Sequence, residues 1–318
     1  MTGYILRRLL LMVPVAFFVT LILFIVLRLT PGDPVRVMLG EQATPENVVA
    51  LRQQLGLDQP MPIQYVKWLG RIVRGDLGKS LANRQSVVSL FGERLPATAE
   101  LGVVAFILHL VVAAFIGTLA AIYRRSVIGP MTTVFASVFV SLPGFFFAIM
   151  LILVFSVILR WTPVSGYAPF YGKDADVVSN FQHIILPAIA LGLPAAAGTA
   201  RLIRSSLVET LYTDYIRTAR AKGLSERSIV VGHAARNAAL PVLTILGLNL
   251  GFLISGAFIV ETIFAWPGIG RLAVGALFQR DYPITQGVVL IAAFTIMVAN
   301  LVTDIAYAVA DPRISYAR

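Results

Sequence analysis

LGVVAFILHLVVAAFIGTLAAIY, residues 101–123, contains no Asp, Glu, Lys or Arg. A helix rises about 1.5 Å per residue and the hydrocarbon core of a bilayer is about 30 Å thick, so about 20 such residues span it. Similar runs lie on either side. Leu9–Leu27 precedes it. After it come a run within Val127–Leu159, then Ile184–Ala200, about Asn237–Val260, and Ile284 to about Val309. Six spanning helices are expected. The third run is too long for one straight crossing, and Pro143-Gly144 inside it predicts a kink. Pro187 and Pro194 interrupt the fourth.

Composition agrees. Of 318 residues, 58% are hydrophobic and 13% charged. A soluble domain carries about 25% charged residues, so a water-facing globule is excluded. The net charge of +10 is then read as topology, not as nucleic-acid binding. With the N-terminus in the cytoplasm, the cytoplasmic segments hold thirteen Lys/Arg, seven of them between Arg201 and Arg236. The short loops opposite hold four: Arg160, Lys173, Arg271 and Arg280. Both termini are therefore expected in the cytoplasm. The first run is followed by Arg28-Leu29-Thr30-Pro31 rather than a small-residue cleavage site, so it reads as an uncleaved anchor behind Arg7-Arg8. There is no Cys, which removes disulfides, thiolate metal sites and a Cys nucleophile. His109, His183 and His233 show no ligand spacing. No metal and no cofactor is expected.

The long segment 30–97 should be helical and lie on the outer membrane face. Thr44-Pro45-Glu46 has the form of an N-cap, a first-turn proline and a first-turn acid, and Gly56 is a stop. Pro62 opens a second amphipathic helix that ends at Gly75. These helices either pack on one another or offer a docking surface to an external partner.

The basic segment 201–236 is more informative. Tyr215-Ile216-Arg217-Thr218-Ala219-Arg220-Ala221-Lys222 has helical composition, Asp214 before it is a candidate cap, and Gly223 suits a left-handed stop. Ser225 caps a further helix towards Arg236. Tyr215, Ile216 and Ala219 form a small apolar face, with Arg217 and Arg220 on another. A helix this short is marginal alone in water. Its apolar face should pack into a groove on a separate protein, or the helix should rest on anionic headgroups.

Catalytic motifs are missing. Gly75-Asp76-Leu77-Gly78-Lys79-Ser80 has too few residues between its glycines for a phosphate loop, and no triad or paired carboxylate appears, so no enzyme is expected. Polar residues inside the runs are few. Asn300 and Asp304 share a helix face as a polar pair, with Arg201 or Arg204 in reach. Glu100 and Glu261 fall at outer helix ends. Glu261, Trp266, Pro267 and Gly268 are candidates for a gate or path. A self-sufficient secondary transporter would need more embedded ion ligands than this.

Asp214 to Ser225, followed by His233-Ala234-Ala235-Arg236-Asn237-Ala238-Ala239-Leu240-Pro241, resembles the cytoplasmic-loop signature of inner-membrane permeases of type I ABC importers, and specifically the peptide branch. Further matches are Pro31-Gly32-Asp33-Pro34, Leu55-Gly56-Leu57-Asp58-Gln59-Pro60, Gly75-Asp76-Leu77-Gly78, Val260-Glu261-Thr262-Ile263-Phe264, Trp266-Pro267-Gly268-Ile269-Gly270, Arg280-Asp281-Tyr282-Pro283 and Asp311-Pro312-Arg313. The general permease motif begins Glu-Ala-Ala, where this chain has Arg217, Thr218 and Ala219. The resemblance implies an all-α permease of the bacterial inner membrane, divided into a first helix (1–29), an external segment (30–97), a five-helix core (98–310) and a tail (311–318). It implies a sister permease subunit, two cytoplasmic ATPase subunits docked on a coupling helix at Tyr215–Gly223, and an external solute-binding protein. The solute would be a peptide, with glutathione or a nickel complex as alternatives.

Overall fold

A computed structural model describes residues 2–29, 35, 39, 43–54, 56–173 and 175–310. Pro31-Gly32-Asp33-Pro34, Leu55 and the tail 311–318 with Asp311-Pro312-Arg313 lie outside the described residues. Regular structure among the described residues is helical, apart from one isolated bridge between Lys79 and Ser86. The helices are α1 (Thr2–Leu29), α2 (Pro45–Gln54), α3 (Met61–Val73), α4 (Val87–Ile122), α5 (Ile128–Ser141), α6 (Gly144–Leu151), α7 (Val177–Leu211), α8 (Asp214–Ala221), α9 (Ala235–Ile263), α10 (Ile269–Phe278) and α11 (Tyr282–Ala310). Two stretches are π-wound: Ile152–Ile158 after α6 and Ile229–Ala234 before α9. Among the described residues, four helices are long and apolar enough to cross a membrane, and two bent pairs bring the number to six if each pair is one span.

The core is the pairing of α4 with α7, the most extensive helix contact in the chain. It is close because small residues face each other. A Cβ on Gly192 would sit 2.5 Å from the Ala105 carbonyl oxygen, and one on Gly117 would sit 2.7 Å from that of Ala200. Ala113, Ala196 and Ala200 fill the space between. Between helices already in lipid, attraction comes from such packing rather than from leaving water. Pro187 and Pro194 stay inside α7 without breaking it.

The third apolar run breaks where expected, at Pro143-Gly144, and sharply: α5 and the segment Gly144–Ile158 meet at 103°, as a broken span or a re-entrant loop. Leu142 and Pro143 are extended, with ψ of 128° and 130°, as the residue before a proline tends to be.

The polar pair expectation is corrected. Asp304 bonds Arg8 of α1 at 3.0 Å, not Arg201 or Arg204, and Asn300 is exposed. First and last helices lie side by side, an adjacency that sequence separation hides.

In the external segment, Thr44 Oγ1 accepts from the Asn47 N–H, and Gly56 and Gly75 adopt φ of +64° and +79°. α3 packs against α1. Tyr65 Oη shares a 2.9 Å hydrogen bond with Thr20 Oγ1, inside the apolar run Leu6–Val26. Phe17, Phe24 and Trp68 close around the Tyr65 ring. Trp68 Nε1 donates to Gln286 Oε1 of α11. Burying these rings draws α3 alongside α1.

Gly192→Val should cost more than the ~1–3 kcal/mol of ordinary overpacking, because the obstacle is backbone. A sharp fall in melting temperature and in monodisperse yield is the expected readout. Gly275→Ala, which meets nothing within 4 Å, should match the parent.

Candidate functional site

Three places concentrate polar side chains. The first is the short helix α8. Its N-cap is Thr213, not Asp214, whose carboxylate instead accepts from Arg217 at 3.2 Å. Gly223 follows with φ +79°. Ser225 Oγ accepts from the Ser228 N–H, which starts the next helix as expected.

The apolar face of α8 is not left for another protein. Ile216 is fully buried and Ala219 nearly so, against Leu207 and Leu211 of α7, Ala121 of α4, Ile229, Val230 and Ala234 of the π-wound stretch, and Ala238 of α9. The extra residue per turn in that stretch brings it over α8. Full burial of one such side chain stabilises by about 1.5–3 kcal/mol. Arg220 is also taken up: Nε and Nη2 donate to Glu226 at 2.7 and 3.2 Å. Arg220 holds the Glu226 carboxyl below its usual range, and its own guanidinium is raised. The outward surface consists of Asp214, Tyr215, Arg217, Thr218, Arg220, Ala221, Lys222 and Gly223.

The second place lies at the opposite end of α4. Glu261 is fully buried. Its Oε1 accepts from Thr98 Oγ1 at 2.7 Å and its Oε2 from the Arg271 N–H at 3.1 Å. Thr98 Oγ1 in turn accepts from the Ile269 N–H at 2.8 Å. Glu261 and Thr98 thus cap α10, meeting donors that a helix start leaves open. A Cβ at Gly268 would collide with the Glu261 carboxylate, so the turn passes directly over it. Trp266, also fully buried, donates from Nε1 to the Ala97 carbonyl at 2.8 Å and meets Tyr167 edge-on. Burial, then the neighbouring Glu100 carboxylate, push the Tyr167 phenol up to about 12.

Nearby, Asp281 accepts from Ser80 Oγ at 2.5 Å and from the Leu81 N–H at 3.0 Å. This joins the Gly75–Gly78 stretch to Arg280–Pro283. Of the four residues read as gate or path, Glu261, Trp266 and Gly268 are buried in this knot and Pro267 is half-buried. None of the four lines the chain's main groove.

That groove is the third place. It encloses about 410 Å³ between α5 and α6 on one side and α9 on the other, with α7 as its floor. Its walls are apolar except for Thr199 and Asn249. Asn249 Nδ2 donates to Thr199 Oγ1 at 3.0 Å, and Thr199 Oγ1 lies 2.9 Å from Nε2 of the fully buried His109. Sequence reading noted His109 and Asn249 separately. Nothing in their spacing joins residues on three helices.

The sequence model described as "Binding-protein-dependent transport system inner membrane component" matches residues 113–316, and its N-terminal membrane-component counterpart matches residues 1–102. The chain is 42% identical to the dipeptide transport system permease protein DppB of Escherichia coli K12, over 99% of both chains. It is 39% identical to the oligopeptide transport system permease protein AppB of Bacillus subtilis 168, over 99% of this chain and 100% of that one. Among solved structures, a chain of the MetNI methionine ABC transporter in an inward-facing form matches with a TM-score of 0.56 at 16% identity, covering 70% of this chain and 96% of that one. That likeness concerns the fold.

Two outcomes follow from these sites. Thr98→Val leaves both the Glu261 carboxylate and the Ile269 N–H short of a partner, so unfolding should become easier by about 1–3 kcal/mol; thermal denaturation of the parent and variant measures it. Because Glu226 titrates below its ordinary value when folded, its tie to Arg220 is whole at neutral pH. It is lost as pH falls through that lowered value. Hydrogen-exchange protection around Gly223, taken relative to the intrinsic rate at each pH, should fall on acidification in the parent, and Glu226→Gln should show the lower protection already at neutral pH.

Proposed function

The chain belongs to the binding-protein-dependent transport system inner membrane components, and on that premise we propose that it forms, with a sister permease, the path by which an ABC importer takes up peptides. Its relatives of similar length are permeases of dipeptide and oligopeptide systems, which supports peptides as the solute. The basic end of the bundle, with Arg124, Arg125 and α8, faces the cytoplasm, in keeping with the positive-inside bias. Residues 1–29 anchor the chain, 30–97 face the external binding protein, 98–310 form the core and 311–318 the tail. The solute moves along the groove floored by α7.

The observation that carries the mechanism is the burial of Ile216 and Ala219 against α4, α7 and α9. A docking helix transmits force only if it cannot move independently of the helices it drives. α8 is clamped on one side, while its other side, with Tyr215, Arg217, Thr218, Ala221 and Lys222, is free for a groove on a cytoplasmic ATPase. When ATP draws two such ATPases together, α8 carries α7 and α9 with it, and the walls of the groove shift. Hydrolysis releases them. Chemistry stays with the ATPases, and the permease supplies the lever and the path.

The chain lacks cysteine, so single thiols report without background. Ala221→Cys should crosslink to the ATPase in the assembled transporter, whereas Ala219→Cys should not. Equal crosslinking at both positions removes the assignment of faces. Ile259→Cys, on the groove wall and 52% exposed, should lose most peptide uptake after a bulky thiol reagent, and full uptake in the modified protein removes the groove as the path.

A further inference from the structure

The groove carries one polar feature. Asn249 sits midway along α9 (Ala235–Ile263), fourteen residues from either end. Its Nδ2 donates to Thr199 Oγ1. The Thr199 hydroxyl has a single proton, and its other partner is His109 Nε2. The Thr199 oxygen can accept from both neighbours, so the histidine tautomer sets which of the two donates. His109 Nδ1 is buried without a hydrogen-bond partner among the described residues. An unmade bond of this kind is costly inside a protein. The histidine is held in place by packing, edge-on to Phe106, and serves to orient its neighbours.

Of the two Asn249 amide N–H groups, one is committed to Thr199, which fixes the plane of the amide. That leaves the Asn249 side-chain carbonyl oxygen, which has no protein partner among the described residues, beside the second N–H. Ligand sites are typically apolar spaces with a few fixed polar groups that set orientation. Here the fixed group is an amide whose oxygen is an open acceptor.

We propose that Asn249 Oδ1 is a docking point for a backbone N–H of the peptide in transit, held in aim by Thr199 and His109. This rests on the reading of the groove as the path. A neutral acceptor in mid-membrane suits a neutral donor that every peptide has, whatever its side chains. It adds selectivity for amides independent of the external binding protein. Thr199 and His109 are positioning residues.

The test uses the whole transporter in proteoliposomes, with its sister permease, ATPases and binding protein. Uptake is compared for a tripeptide and for its depsipeptide analogue, in which an ester oxygen replaces one backbone N–H, both at saturating binding protein. Losing one hydrogen bond of about 1.4 kcal/mol corresponds to about tenfold, so the parent should favour the amide by up to that factor. Asn249→Leu should bring the ratio towards one, with ATPase activity and assembly retained. If that variant does not assemble, Thr199→Val, which keeps the shape but frees the Asn249 amide, should lower the ratio instead. A parent ratio of one, or an unchanged ratio in an assembled variant, overturns the proposal. The modified Ile259→Cys protein separates the two readings: blocked uptake with an unchanged amide ratio removes Asn249 alone, and unblocked uptake removes the path.

Discussion

The backbone approach of α4 and α7 holds the rest in place. Where Gly192 meets Ala105 and Gly117 meets Ala200, two helices bring backbone against backbone, with only small side chains in between. Everything described above is attached to that pair. The Glu261 cap reaches α4 through Thr98. His109 and Thr199 face each other across it. Leu207 and Leu211, at the other end of α7, bury Ile216. Backbone contact resists compression far more than side-chain contact does, because no rotamer change relieves it. The pair therefore behaves as a beam that shifts whole rather than bending.

This arrangement clarifies how a permease can lack chemistry of its own and still take part in work. The joint at α8 and the trio His109, Thr199 and Asn249 both rest on the same two helices. α8 is bonded into the end of the beam, and the Asn249 side chain looks at its centre from α9. A displacement at α8 thus reaches the groove through packed helices rather than through a loop. The knot of Glu261, Thr98 and Trp266 at the far end keeps α9, α10 and α4 in register while this happens.

Helix positions and the nature of the chain were legible because they rest on local patterns. Apolar runs, the stop at Gly223 and the caps at Thr44 and Ser225 each need only a few neighbouring residues. Pro143-Gly144 marked the right place, although a proline sets where a chain turns and not by how much; the 103° turn depends on what α6 packs against. The misreadings share a cause. Ile216 and Ala219 were assigned to an outside partner because their real neighbours, Ile229 and Val230, come forward only through π-winding. Asp304 was given to Arg201 or Arg204 because Arg8 is almost three hundred positions away. Glu261 was placed at an outer helix end as a gate candidate, and Asp281 drew no reading of its own. Their partners, Thr98 and Ser80, lie in a part of the chain that no periodicity connects to them.

The π-wound stretch Ile229–Ala234 has one more consequence. Each residue in a helix advances the next side chain by about 100°, so the wider winding sets the angular phase between the joint at α8 and every position beyond it on α9. Related chains with a residue removed there would present a different stripe of α9 to the interior. A single-codon deletion would in this way exchange the α9 wall of the groove without substituting any residue.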